Sequence, residues 1–194
     1  KSGIDCYYAY PMTPATAVLE HLAQKQKENG HLVLELENEI AVANAGCGSA
    51  ITGAKTMIGT SGGGFALMTE ALSMCGVAEI PLVFYLAQRA GPASGVATYT
   101  SQADLHMARH AGHGEFPRVV LAAGDPTEAQ EITSQAFYLS QKYSCPSIIL
   151  SDKHLAESYY TSKRKPIITK VENLTKFGRY NSYEKDSKTG SATE

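Results

Sequence analysis

The segment Pro81-Leu82-Val83-Phe84-Tyr85-Leu86-Ala87 is an unbroken apolar run. A run this short, rich in aromatic and branched side chains and without polar alternation, fits a strand covered on both faces. Strands of that kind belong to parallel sheets with helices packed on each side. The rest of the first 150 residues follows suit. Residues 7–9, 32–34, 56–60, 118–122 and 147–150 read as strands. Residues 14–29, 38–51, 65–75, 101–109 and 127–142 read as helices, with Pro14 near one start and Gly30 at one stop. Strands alternating with helices predict an α/β fold: a doubly wound, mostly parallel sheet with helices on both faces. In such a sheet ligands bind beyond the carboxyl ends of the strands, so the informative residues should follow strands directly.

Composition narrows the function classes. The chain has 194 residues, 43% hydrophobic and 19% charged, which is globular and not disordered. Its formal net charge of −2 leaves no basic excess for nucleic acid. No apolar run approaches the ~20 residues that span a bilayer. No leader is visible, so a cytoplasmic location is the default, and the start at Lys1 without Met suggests a fragment. The four cysteines (Cys6, Cys47, Cys75, Cys145) form no short ligand motif and read as reduced thiols, with no metal site. Residues 151–194 hold 9 basic and 6 acidic residues, against 8 and 13 in the first 150. Residues 1–160 therefore read as one α/β domain. Residues 161–194 read as a polar arm or linker leading to a domain absent from this chain.

Four strand-following segments carry candidate chemistry. In Tyr10-Pro11-Met12-Thr13-Pro14, two prolines fix the backbone around Thr13. In Glu35-Leu36-Glu37-Asn38-Glu39, Asn38 can cap a helix, which leaves Glu39 at the edge of the almost uncharged segment 40–50. A carboxylate at such a border can serve as a proton relay. In Gly59-Thr60-Ser61-Gly62-Gly63-Gly64-Phe65, the glycines allow a ligand close to the backbone. In Gln88-Arg89-Ala90-Gly91-Pro92, Arg89 leaves a buried strand and calls for an anionic partner, a carboxylate suiting its planar fork.

The same sequence bears on two other chemistries. Gly59 to Gly63 matches G-x-S-x-G, a nucleophile elbow with Ser61 as the nucleophile. A serine hydrolase would then draw its acid from Asp104 or Asp125 and its base from His113 or His154. His106, His110 and His113 lack the H-E-x-x-H pattern, and a metal there is not favoured.

Taken together, the segments resemble the 2-oxoacid:ferredoxin (acceptor) oxidoreductases. Tyr10-Pro11-Met12-Thr13-Pro14 resembles Y-P-I-T-P, and 37–41 resembles E-[DN]-E-x-A. Residues 60–65 resemble T-S-G-P-G-F, with Gly63 in place of Pro. Residues 88–95 resemble Q-R-G-G-P-S-T-G, with changes at Ala90, Ala93 and Ser94. His113-Gly114-Glu115-Phe116-Pro117-Arg118 matches H-G-E-F-P-R. The last two are most like the α subunit of the 2-oxoglutarate type, and the motifs cover residues 7–152.

The resemblance implies a thiamine-pyrimidine-binding domain. It implies thiamine diphosphate shared with a β subunit that holds the diphosphate, Mg²⁺ and an iron–sulfur cluster. It implies oxidative decarboxylation of 2-oxoglutarate to succinyl-CoA, with coenzyme A as co-substrate and ferredoxin or another acceptor taking the electrons. Pyruvate or a branched-chain 2-oxo acid is the alternative substrate. A role in assembly alone is a further alternative, since half a cofactor site binds weakly. Carried over by position, Glu39 would hydrogen-bond the aminopyrimidine and promote proton removal from the cofactor. Thr13 and Arg89 would hold the substrate carboxylate, and Thr60, Ser61, Gly62 and Gly63 would line the pyrimidine pocket.

Overall fold

A computed structural model describes residues 2–171. Among them, β1 (Cys6–Ala9), β2 (Leu32–Glu35), β3 (Thr56–Thr60), β4 (Val83–Gln88), β5 (Val119–Ala122) and β6 (Ser147–Asp152) form one sheet. The order is β2-β1-β3-β4-β6-β5, and every pairing is parallel. The apolar run at 81–87 lies at the centre as β4, almost entirely buried.

Adjacent strand residues feed opposite cores, as the two-residue period requires. Tyr8, Ile58, Phe84 and Ile148 enter one core; Tyr7, Met57, Val83 and Ile149 enter the other. The first core lies under α2 (Glu39–Ile51), α3 (Gly62–Leu67), α4 (Thr69–Val77) and α5 (Leu105–His110). The second lies under α1 (Thr16–Asn29) and α6 (Pro126–Tyr143). A short α7 (Lys153–Glu157) follows β6. The sheet is thus doubly wound, as the alternation predicts.

Side-chain caps fix several helix starts. Asn38 Oδ1 accepts the Ala41 N–H at 2.9 Å, Asp125 Oδ1 accepts that of Glu128 at 2.8 Å, and Asp152 Oδ1 accepts that of Leu155 at 2.8 Å. Gly30, with φ 74°, ends α1.

Two elements differ from the sequence expectation. The helix expected over 65–75 begins at Gly62 and breaks at Met68, whose N–H closes onto Phe65 O at 3.0 Å. That turn places Met68 fully inside the first core. The helix expected from 101 starts only at Leu105, because the chain after β4 forms a loop pinned by an antiparallel bridge between Ala90 and Val96.

The first part of the expected arm lies along α6. Thr127 Oγ1 donates to Ser162 Oγ at 2.9 Å, and Arg164 Nη1 to Glu131 Oε2 at 3.2 Å. The backbone N–H groups of Ile167 and Thr169 donate to Glu131 and Ser134. The remainder of the arm, 172–194, lies outside the described residues. No helix among the described residues is long and apolar enough to cross a membrane.

Candidate functional site

β1 lies between β2 and β3; the chain leaves β1 through α1 on one face toward β2, and leaves β3 through α3 and α4 on the other face toward β4. The strand order reverses there, which opens a crevice at the carboxyl ends of β1 and β3. The segments singled out in the sequence surround this crevice.

Glu39 is the first residue of α2, held there by the Asn38 cap. Its neighbours Glu35, Glu37 and Ile40 face out, while Glu39 itself is 5% exposed. Its side chain packs against α3. A Cβ on Gly64 would lie 2.7 Å from Glu39 Cγ and 2.9 Å from Oε1, and closer still to Thr60 Oγ1. Only glycine leaves that space to the carboxylate. Among the described residues the Glu39 carboxylate has no hydrogen-bond or ion-pair partner. An acceptor group left without a protein partner at the edge of an apolar helix is open to a ligand donor.

Thr60, 1% exposed, ends β3 and donates from Oγ1 to Ser61 O at 3.3 Å, with Met12 Sδ 4.0 Å away. The contact ties the segment after β1 to the end of β3. Ser61 precedes α3 in extended conformation (φ −114°, ψ −179°), and its buried Oγ has no hydrogen-bond partner. Gly62 and Gly63 follow, half-buried, as the first residues of α3. A Cβ on Gly63 would lie 3.5 Å from Ala93 O, so the loop after β4 closes over this turn.

Arg89 meets the backbone of Thr13 across the crevice mouth. Arg89 Nη1 donates to the Thr13 carbonyl at 2.8 Å, and no carboxylate pairs with the guanidinium among the described residues. A carbonyl leaves the positive charge unneutralised and most of its donors free. Arg89 therefore keeps the capacity to take an anion.

The serine hydrolase is not assembled. Ser61 is fully buried with unstrained extended backbone, whereas an elbow nucleophile is exposed on a strained turn. His113 pairs with Glu70 on the surface at 3.0 Å, and His154 lies against Ser158 and Tyr160. Asp125 caps α6 and faces Arg164. Asp104 lies beside Gly62 without a histidine partner, and burial raises its carboxyl above the ordinary range. His110 bonds its own helix at His106 O, and no group of three potential metal ligands occurs among the described residues. The four cysteines are free thiols, with Cys47 and Cys75 3.5 Å apart in the first core.

Gly64 and Asp104 are the participants whose placement sequence reasoning missed. The third consecutive glycine was the available signal for the first. Nothing local marks the second.

Comparison with known proteins identifies the fold and the family. Residues 1–190 match the family model for pyruvate flavodoxin/ferredoxin oxidoreductase, thiamine diphosphate-binding. The chain belongs to this family. It is 39% identical over 177 residues to the 2-oxoacid:ferredoxin oxidoreductase subunit alpha of Saccharolobus solfataricus, covering 85% of this chain and 28% of that protein. It is 34% identical over 191 residues to the 2-oxoglutarate synthase subunit KorA of Archaeoglobus fulgidus, covering 97% of this chain and 51% of that one. Among solved structures, it superposes with a TM-score of 0.86 and 37% identity on 2-oxoglutarate:ferredoxin oxidoreductase from Magnetococcus marinus, determined with 2-oxoglutarate, coenzyme A and succinyl-CoA bound. That match covers 91% of this chain and 31% of the other. The chain thus spans between about a quarter and a half of the length of these relatives.

The residues present fit the family's cofactor. The carboxylate of Glu39, which has no protein partner, the buried orphan hydroxyl of Ser61 and a glycine turn lie together at the strand ends. A flat heterocycle with ring nitrogens and an exocyclic amine offers what the carboxylate and the hydroxyl lack.

Proposed function

We propose that this chain is part of the α subunit of a 2-oxoglutarate:ferredoxin (or other acceptor) oxidoreductase, and that it holds the aminopyrimidine end of thiamine diphosphate. The observation that carries the reading is Glu39: a residue 5% exposed whose side chain packs on a glycine at the switch point of the sheet and whose carboxylate has no protein partner. Glu39 hydrogen-bonds a pyrimidine ring nitrogen, and its burial strengthens that bond. Thr60, Ser61, Gly62 and Gly63 line the ring, Ser61 Oγ gaining the partner it lacks. Arg89, steadied by the Thr13 carbonyl, takes the carboxylate of the 2-oxo acid through its free donors. When bound, thiamine diphosphate supplies the carbon nucleophile and the electron sink for decarboxylation; the protein positions and tunes it.

The remaining parts of the reading rest on the relatives. A β subunit supplies the diphosphate site, Mg²⁺ and an iron–sulfur cluster, coenzyme A accepts the succinyl group, and ferredoxin or another acceptor takes the electrons. The names of the relatives support 2-oxoglutarate as the substrate. The cytoplasm, where adjacent thiols such as Cys47 and Cys75 stay reduced, is the location that goes with this chemistry.

The test is anaerobic viologen-dye reduction by the full-length subunit co-expressed with its partners, supplied with thiamine diphosphate, Mg²⁺ and coenzyme A. Turnover should favour 2-oxoglutarate over pyruvate. Glu39→Gln should lower it by at least about a hundredfold, the scale of a lost proton-transfer group, without loss of assembly. Turnover of pyruvate alone would overturn the substrate, and full activity in Glu39→Gln would overturn the role of Glu39.

A further inference from the structure

Asp104 is an aspartate at a helix N-terminus that does not cap its helix. It immediately precedes α5, yet its carboxylate accepts no N–H from that helix. Oδ2 is buried and has no hydrogen-bond partner. The side chain turns instead toward the glycine turn at 61–64: a Cβ on Gly62 would lie 2.7 Å from Oδ2 and 3.0 Å from Oδ1. The backbone that carries it is held in place. The Asp104 N–H donates to Gln88 Oε1 at 2.9 Å, and Gln88 Nε2 donates to Ser151 O at 3.1 Å. Gln88 is itself buried at the end of β4. A strut therefore runs from β6 through Gln88 and Asp104 to the Cα of Gly62.

A natural aspartate that forgoes its own cap and leaves an oxygen buried and unpaired is costly, by about 1–3 kcal/mol for an unmet polar group. Such costs cluster where geometry is being held for function. Ser61 Oγ, on the other side of Gly62, is also buried and unpaired.

We propose that Asp104 is a positioning residue for the thiamine diphosphate site, its carboxyl group bearing on Gly62 and fixing how the 61–64 turn meets the cofactor. The inference rests on the functional reading above. Asp104 acts through Gly62 and does not touch substrate. Its size and shape do the positioning, so asparagine should serve and alanine should not.

The experiment is a titration of thiamine diphosphate into the cofactor-stripped assembled complex with Mg²⁺, read by calorimetry, for wild type, Asp104→Asn, Asp104→Ala, Gly62→Ala and the Gly62→Ala/Asp104→Ala double variant. Asp104→Ala should weaken binding about tenfold, the equivalent of about 1.4 kcal/mol. Asp104→Asn should stay within about twofold. Gly62→Ala should weaken binding by driving a methyl into the carboxyl. In the double variant the loss should be well short of the product of the single losses, because the methyl then has room. Unchanged affinity in Asp104→Ala, or an asparagine variant as weak as alanine, would overturn the proposal. If Asp104→Ala fails to assemble, the Gly62→Ala and Asp104→Asn pair decides: wild-type affinity in the first or loss in the second overturns it. A wild-type complex that binds no thiamine diphosphate would overturn the site reading itself, and this proposal with it.

Discussion

Gly64→Ala isolates the geometry of Glu39 from its chemistry. A Cβ at position 64 would lie 2.7 Å from Glu39 Cγ. Carbon atoms in contact sit at about 3.5–4.0 Å, so the side chain of Glu39 must retreat by about 0.8 Å. Thr60 Oγ1, closer still to the added methyl, has to move too. The backbone raises no objection, since Gly64 lies within α3 and its φ is not among the positive ones. Alanine even gains up to about 1 kcal/mol of helix propensity over glycine, against about 1–3 kcal/mol of overpacking. Stability should therefore change by no more than about 2 kcal/mol. Catalysis should change far more, because a misplacement near 1 Å costs about a hundredfold. Turnover of 2-oxoglutarate by the assembled complex should fall by about ten- to a hundredfold, with the melting curve shifted by only a few degrees. Adding Glu39→Gln to Gly64→Ala should lower turnover little beyond Glu39→Gln alone, since both disable one group. Turnover within twofold of wild type in a well-folded Gly64→Ala complex would refute the claim that the placement of Glu39 matters.

The other predictions concern binding and stability. Arg89→Ala should raise KM for the 2-oxo acid by about ten- to a hundredfold, from loss of a charged contact worth about 1.5–3 kcal/mol, with a smaller change in kcat. An unchanged KM in steady-state kinetics would make Arg89 a purely structural anchor of the Thr13 carbonyl. Tyr7→Phe removes a fully buried hydroxyl that has no partner, so it should stabilise the fold by about 0.5–2 kcal/mol in denaturant unfolding. Destabilisation would show that the hydroxyl has a partner in solution.

The sheet was legible in the sequence because its strands are short apolar runs between turn-formers, and in the central β3 and β4 burial of both faces leaves no polar alternation to confuse the reading. The break at Met68 was not legible, since methionine is a good helix former. It follows from where the core needs a large side chain, and that is a tertiary demand. Glu39 could be picked out because Asn38 announces the helix start and the next twelve residues carry no charge. The partner of Arg89 could not. The sequence argues for an anion, and nothing local announces the carbonyl 76 positions away that the guanidinium also meets. Asp104 was visible only as a spare acid, because its significance lies in contact with a glycine more than forty residues earlier.

That contact alters the meaning of the glycine run. As sequence, Gly62-Gly63-Gly64 reads as a turn that lets a ligand close to the backbone. In the structure all three residues lie in α3, with none at positive φ. Their use is spatial. Positions two apart on a helix point about 200° away from one another. Gly62 and Gly64 thus face opposite sides, one toward the carboxyl of Asp104 and the other toward that of Glu39, while Gly63 faces Ala93 O. The turn is wedged between two acids and a carbonyl, each taking the volume a side chain would need. A helix gripped this way has little freedom despite its composition. The run is therefore intolerant of alanine at both 62 and 64 but not at 63, where a Cβ would find ordinary contact distance.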